Sequence, residues 1–520
     1  AQIKNNEFII DNFNFKNGKD FVQLTGSFDG KKDYKIDRLQ VAYDSNYLVN
    51  TGPIKFSRHD SNYKISPFEL HINDGVLQGY ISYNESLEGH FKMSNFDAMV
   101  LTNFIEDERL KLSGLIFGEV WIRPSDSKYD LDVDISLKDG IYMEESFDEL
   151  VISLLYKDGV LHLDDFSMTE RSLMAIEING ILPLNNYKLK KNSIMLETNF
   201  TNLPIKFIHR FIPNFFNIEG NASGILTMSG ERDRTKYKYE IDIENSIFDI
   251  IELGNVKSVG SYDGEFLHVE NVQANTKGNS VVGFGDIPID LNLSSKSFGN
   301  FTSSDFFNFK VKGDLNKLYF LSPYLTELDS INGNIGINLE LIGPINNLIR
   351  NGSISIKNGT AHTLFLDDPI TDINMIAEMT NNKLTIENLV GNIYRKNERK
   401  LDLTRSNVQI EGGIDFSKFF EPFYNLKVKS DEVSFKTLYL DIDGESKLDL
   451  AIVGRDTINI TGKIEANDVR VFYEFSNEEL GTAISDERGI ILAYKLVIPI
   501  RGESYFQNSP FPFFVVIQPR

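Results

Sequence analysis

Cysteine is absent from the 520 residues, which removes disulfide staples, thiolate metal sites and cysteine nucleophiles together. It leaves the redox compartment open, because envelope proteins can do without bridges. Proline numbers 15 and tryptophan occurs once. No run approaches the roughly 18 to 20 apolar residues of a membrane-spanning helix, and the greasiest, "IILAYKLVIPI" over 490–500, is strand-length. A basic segment followed by an apolar one, the mark of a secretory leader, is missing from the start. Positive charge is also short: 53 Lys and Arg stand against 75 Asp and Glu, a net charge of −22 without a basic stripe. That argues against nucleic acid, or an anionic membrane surface, as a partner held by charge. The chain opens at Ala1, and its alternation breaks down in the closing "FPFFVVIQPR", so it reads as a fragment or processed piece of a longer protein.

What is present is aromatic and alternating. Phe and Tyr number 39 and 21, the reverse of a chain too polar to fold. In "YDLDVDISLKDG" (129–140) the residues Leu131, Val133, Ile135 and Leu137 point one way, and Asp130, Asp132, Asp134, Ser136 and Lys138 the other. The same pattern places Tyr237, Tyr239, Ile241 and Ile243 on one face of "KYKYEIDIEN", and Ile337, Leu339 and Leu341 on one face of "INGNIGINLELIG". It does so again for Ile354 and Ile356 in "NGSISIKNG" and for Leu448, Leu450 and Ile452 in "SKLDLAIVG". These sixteen residues are the candidate wall of an apolar surface, and none of them carries a charge at neutral pH.

The pattern repeats on a longer scale. "LLYKDGVLHLDDF" (154–166) aligns with "GSYDGEFLHVENV" (260–272) and "AEMTNNKLTIENL" (377–389), and loosely with "HDSNYKISPF" (59–68). A glycine within a strand follows each, at Gly180, Gly285, Gly412 and Gly79. Short stretches with helical spacing come next, in "FDAMVLTNFIED" (96–107), "LPIKFIHRFI" (203–212) and "LNKLYFLSPYL" (315–325). A second glycine strand closes each unit at Gly114, Gly220, Gly333 and Gly444, which lie 106, 113 and 111 residues apart. Units of about 110 residues, approximately 1–150, 151–255, 256–370 and 371–520, therefore read as strands joined by tight "DG", "NG" and "NN" turns. With no Pro/Ser/Gly linker between them, one continuous domain over 1–520 is expected. A coil period of about 20 residues, as in a closed β-helix, is not seen. The expected fold is all-β: an elongated, twisted, half-open trough built from degenerate repeats, with one short helix per repeat. Strand glycines would supply its bends.

In its "LDVDISLKDG" strands, its "YKDGVLHLDDF" signature, its "NGILPL" glycine strand and the approach to "IEGNASGILTMSG" (218–230), the chain resembles the TamB branch of the AsmA-like envelope proteins. The resemblance covers nearly all of residues 1–500 and rests on repeat pattern, not on a catalytic motif. It implies a tapered β-taco with a hydrophobic groove, anchored in the inner membrane of a Gram-negative cell and reaching across the periplasm to the outer membrane. It also implies phospholipid transport beside an Omp85-type outer-membrane barrel. The family's N-terminal anchor helix and its C-terminal portion that docks on the barrel are not found in this sequence, which fits a fragment. A lipid tail in water carries roughly 0.8 kcal/mol of unfavourable transfer free energy per CH₂, so a carrier needs a continuous apolar lining. Alternating strands supply one.

Chemistry is not visible. The seven histidines, at 59, 71, 90, 162, 209, 268 and 362, form no close ligand pair. His162 and His268 match across the repeat and read as polar-face residues. "DLDVD" opens like a calcium loop but carries Ile135 where that loop needs glycine. "GFGDIP" lacks the third glycine of a dinucleotide site, and no nucleophile elbow or P-loop occurs. Trp121 reads as a packing residue. The expectation is a non-enzymatic lipid conduit without cofactor or metal. The alternatives are an assembly scaffold that holds client strands by β-augmentation and an extracellular adhesive array of closed sandwiches.

Overall fold

The computed structural model describes residues 2–517 apart from 5–6, 30–31, 44–45, 103–111, 126–127, 143–144, 172–173, 186–187, 190–192, 207–217, 232–233, 249–250, 277, 294, 303–305, 318–327, 364–367, 394–405, 419–420, 432, 437–441, 474–490, 502–503 and 509–513. Nearly all of the described chain is strand, and one sheet takes in 35 strands. It is largely a meander. From Gln2–Lys4 on Glu7–Asn17 to Ile442–Gly454 on Thr457–Tyr473, strands pair antiparallel with their neighbours in the chain. Asn46–Asn50 and Ile54–His59 share one slot between Asp33–Tyr43 and Asn62–Ile72. At the far end Thr457–Tyr473 receives Ile491–Val497, Ile500–Arg501 and Ser504–Asn508 in parallel, which makes the sheet mixed.

Local chemistry explains the meander. Strands rich in Val, Ile, Tyr and Phe suit a pleated surface, and the hairpins turn on residues that tolerate positive φ. Asp158 and Gly159 have φ of 51° and 80°, and Asn381 and Asn382 have 48° and 68°, as two-residue turns matched to sheet twist require. The approximate unit borders near 150, 255 and 370 fall within or at the start of the strands Glu145–Lys157, Ile251–Tyr262 and Ile370–Thr380. The sheet therefore runs through them.

Where alternation slips in the sequence, the sheet bulges. Leu163 pairs with Gly180 and Phe166 with Ile178, so Asp164 and Asp165 together oppose Asn179. The same excess of one residue occurs at Glu270–Asn271, Glu387–Asn388 and Ser66–Pro67. The extra residue keeps Leu163 and Phe166 on one face although they are three apart, and leaves both aspartates exposed. The glycine beside the bulge makes room for the next strand. At Gly285 φ is +142° and a Cβ would lie 2.1 Å from the Asn308 carbonyl oxygen, which no L side chain accommodates. A second irregularity falls at Gly114, Gly220, Gly333 and Gly444, each of which sits at a break in register. On the partner strand stand Asp139, Asn245, Asn358 and Asp468, left-handed with φ of 50°, 52°, 52° and 48°.

The expected short helix in each unit is not seen. The described part of the first stretch holds only a four-residue α-helix, Met99–Thr102. Phe96–Asp97, Leu203–Pro204 and Leu315–Lys317 are instead strand ends, because their apolar residues continue the alternation of the strands they close. The remainder of the three stretches lies largely outside the described residues. All three leave the sheet from the same edge, as an even number of antiparallel reversals between them dictates.

The buried core lies mostly toward that edge. Phe96, Ala98, Ile116, Leu137, Phe147, Leu150, Met168 and Met174 form its largest cluster, and Leu315, Ile335, Ile356, Ala361 and Ile373 a second.

Candidate functional site: the apolar face of the sheet

The sixteen candidate wall residues lie in the strands Lys128–Tyr142, Arg234–Phe248, Leu328–Pro344, Ile349–Thr363 and Ile442–Gly454. Register carries their rows across the sheet. Val133 lies between Val120 and Leu154, Ile135 between Gly118 and Ile152, and Leu137 between Ile116 and Leu150. Ile243 lies between Ala222 and Val256, and Tyr237 between Met228 and Tyr262. Ile337 pairs with Ile354, and Ile354 with Ala377. Leu448 pairs with Ile464, and Ile452 joins Leu426 to Ile460.

Burial grades along each strand. Leu137 is 1% exposed, whereas Leu131, Val133 and Ile135 on the same face are half-buried. Ile356 is buried and Ile354 half-buried. Tyr239, Ile241, Ile243, Ile337, Leu339, Leu341, Leu448, Leu450 and Ile452 are all half-buried. A dry core closes over such residues and buries them, whereas these surfaces stay partly open to solvent. Toward the first strands the face becomes aromatic: Phe28 stacks on Tyr34 at 4.3 Å, and Tyr34 and Phe56 stand 5.6 Å apart. Arg58 lies over the Tyr63 ring at 5.4 Å.

Two places close the face where sequence reasoning saw nothing. Ala377, Met379, Leu384 and Ile386 are buried together against Leu339, Ile354 and Phe416. Beside them Arg350, a cation on the wall register opposite Leu341, donates from Nη1 to the carbonyls of Leu348 and Phe416 and to Asn382 Oδ1. Burial lowers the pKa of its guanidinium. The second closure is formed by residues 288–293 and 295–302, which fold over Tyr237 and Tyr262. Both carry the same alternation as the rest of the chain, Ala377 with Met379, Leu384 with Ile386, and Ile289 with Leu291 and Leu293, so pattern marks them as strand-like but does not show that they close the face.

The polar face carries its own network. Lys92 Nζ lies 2.8 Å from Glu119 Oε1, and His90 Nε2 3.0 Å from Glu119 Oε2. The His90 ring stacks on Trp121 at 3.6 Å, so Trp121 packs, as expected, although on the outer surface. Glu69 is held at about 2 by hydrogen bonds from His71, Gln78 and Thr51. A cleft of about 490 Å³ lies above these residues, but each carboxylate already has its donors. Among the described residues no group of three or more His, Asp or Glu is arranged to hold a metal ion, and no helix is long and apolar enough to cross a membrane. His162 stands on the polar face, and His268 bridges two aspartates there. No family model, curated protein or solved structure matches this chain.

Proposed function

We propose that the chain is a non-enzymatic lipid conduit, a half-open β-trough of repeating units whose apolar face carries phospholipid acyl chains through the periplasm between inner and outer membrane. The observation that carries this reading is the row of half-buried, uncharged wall positions Leu131, Val133 and Ile135, Tyr239, Ile241 and Ile243, Ile337, Leu339 and Leu341, and Leu448, Leu450 and Ile452. Accessible area supports it. The chain exposes 31946 Å², against about 19,000 Å² for a compact monomer of its mass. The glycine and Asx irregularities, recurring at intervals of 106 to 113 residues along the chain from Asp139 to Asp468, are consistent with the repeat. The sequence resemblance to the TamB branch supplies the lipid, the compartment and the Omp85-type partner.

The test is native mass spectrometry with lipid extraction on protein expressed in a Gram-negative host. Phospholipid should co-purify, and Ile135→Asp should reduce it severalfold while the β circular-dichroism signal is kept. A lipid-free parent protein overturns the proposal.

A second reading, a scaffold that captures client strands, is favoured by one observation. Glu7–Asn17 pairs along one side with Asp20–Phe28, but on its other side only Glu7–Ile9 are engaged, by Gln2–Lys4. Among the described residues Ile10–Asn17 thus presents an open edge to a further strand. Crosslinkers placed at Phe13 would then capture polypeptide, and those at Leu339 would capture none. The adhesive-array reading needs separate closed cores and finds no support in one continuous sheet.

A further inference from the structure

Between the strands Asn279–Pro288 and Phe306–Lys317 the chain leaves the sheet and returns over its apolar face. Ile289 bridges Phe301, Asp290 N donates to Asn300 O at 2.9 Å, and Thr302 N to Pro288 O at 3.0 Å. These bonds make a short hairpin stem. Its tip is braced from within: Asp290 Oδ2 accepts from Ser295 Oγ at 2.5 Å and Ser297 Oγ at 2.7 Å.

The tip is seated on residues remote in sequence. Tyr237 Oη donates to Leu291 O at 2.9 Å, and Leu291 N donates to Tyr262 Oη at 3.1 Å. Asn292 reaches the tips of two neighbouring hairpins, accepting from Thr235 N at 3.2 Å and donating to Gly264 O at 3.0 Å. From its root strand to the strand of Tyr237 the segment crosses three strand spacings, about 14 Å. What it covers is otherwise wall. Tyr237 is 9% exposed, Tyr262 2% and Thr235 0%, while Tyr239, Ile241 and Ile243 further down the same strand stay half-buried.

Polar attachment is the telling feature. Ile289 at the root is buried, but beyond it the tip is held mainly by side-chain hydrogen bonds to backbone groups, and Leu293 remains 40% exposed. Each such bond contributes roughly 1 kcal/mol net and can be exchanged for a bond to water, so the tip can lift while Ile289 stays buried at the root. We infer that the described residues 288–293 and 295–302 form a latch that occupies the apolar face at Tyr237 and Tyr262 in competition with an acyl chain, so that lipid passes this point only when the latch lifts. The inference rests on the lipid-conduit reading and adds a control point to it.

Absence of native cysteine permits a clean test. Thr235→Cys with Asn292→Cys places one disulfide between latch and hairpin tip; Tyr237→Phe, Tyr262→Phe and Asn292→Ala together keep the rings but remove the hydrogen bonds. Uptake is followed as dequenching of an acyl-labelled fluorescent phospholipid from phosphatidylethanolamine/phosphatidylglycerol vesicles into the full chain. The expected results are at least threefold slower uptake in the oxidised double-cysteine protein, restored by reductant, and at least threefold faster uptake in the triple variant. Should the triple variant not fold, oxidation and reduction of the disulfide protein decide the matter alone. Uptake by the parent chain, with uptake by the double-cysteine protein that is equal whether its disulfide is closed or open, refutes the latch and leaves the conduit standing. No uptake by parent or variants refutes both.

Discussion

His268 stands on the polar face with Asp286 Oδ1 2.6 Å from its Nδ1 and Asp263 Oδ2 3.2 Å from its Nε2. The Asp286 hydrogen bond is the largest influence and raises the imidazole pKa above its ordinary value, against partial burial. Asp263 moves the other way, to about 2; burial alone would raise it, but the N–H groups of Phe266 and Glu265 and the imidazolium prevail. The signs give a window. A raised histidine contributes stability that is complete below its ordinary pKa of 6.5 and is lost as pH rises through the folded value. A depressed aspartate contributes stability that is present above 3.8 and is lost as pH falls toward 2. The cluster therefore stabilises most between about pH 4 and 6.5. Arg234 and Glu265, also at this tip, pair with each other at 3.8 Å. All three members of the cluster are substantially exposed, so the contribution is that of a surface ion pair, below about 1 kcal/mol. Urea midpoints of the parent and His268→Gln proteins should differ at pH 5.5 and converge by pH 8.5; an equal difference at both pH values refutes the assignment.

At the scale of the element, irregularity is what makes so long a sheet regular in its sidedness. A strand of strict period two needs no bulge, but "LHLDDF" sets two acidic residues between apolar neighbours, and without the extra residue every position beyond would change face. The backbone conformations that permit this are costly for ordinary side chains. Gly285→Ala should destabilise by about 1–3 kcal/mol, the scale of a residue forced into a sparsely populated conformation. At Asn245, left-handed with φ of 52°, Gly should be nearly neutral and Val should cost more than 1 kcal/mol, since a β-branched residue resists positive φ. Equal urea midpoints for Asn245→Gly and Asn245→Val would refute this account. Strand pattern, turn residues and both sets of glycines were legible in the sequence because each reflects a local steric rule. The left-handed Asp139, Asn245, Asn358 and Asp468 were not, since Asn and Asp are frequent throughout and nothing local marks four of them. The helices expected from spacing at 96–107, 203–212 and 315–325 were misread at their starts because Phe96, Leu203 and Leu315 satisfy a strand's alternation as readily as a helix's first turn.

For the whole molecule, which residues share the apolar face could be read from sequence and what covers that face could not. Which residues share a face follows from period two, so Leu131 to Leu137 and their counterparts were assignable one by one. Whether that face is open depends on contacts between residues more than fifty apart, such as Tyr237 with Leu291 or Arg350 with Phe416, and no local pattern encodes them. A continuous sheet also has a consequence that separate pockets lack. If lipid travels along it, the wall segments act in series, and a desolvation barrier in any one of them limits the flux through all. A charge is the barrier to use, because burying it against an acyl chain costs far more than removing a methyl group. Ile135→Asp and Leu339→Asp stand two hundred residues apart, on different strands with no shared neighbours. In vesicle-to-vesicle transfer each alone should bring the rate to within about twofold of the protein-free background, and the double variant should be no slower than either. Independent lipid-binding pockets predict otherwise: each single variant would lose only its own share, and the two losses would add. Partial single losses that sum in the double variant, with folding intact by circular dichroism, would rule out the serial conduit while allowing lipid to bind.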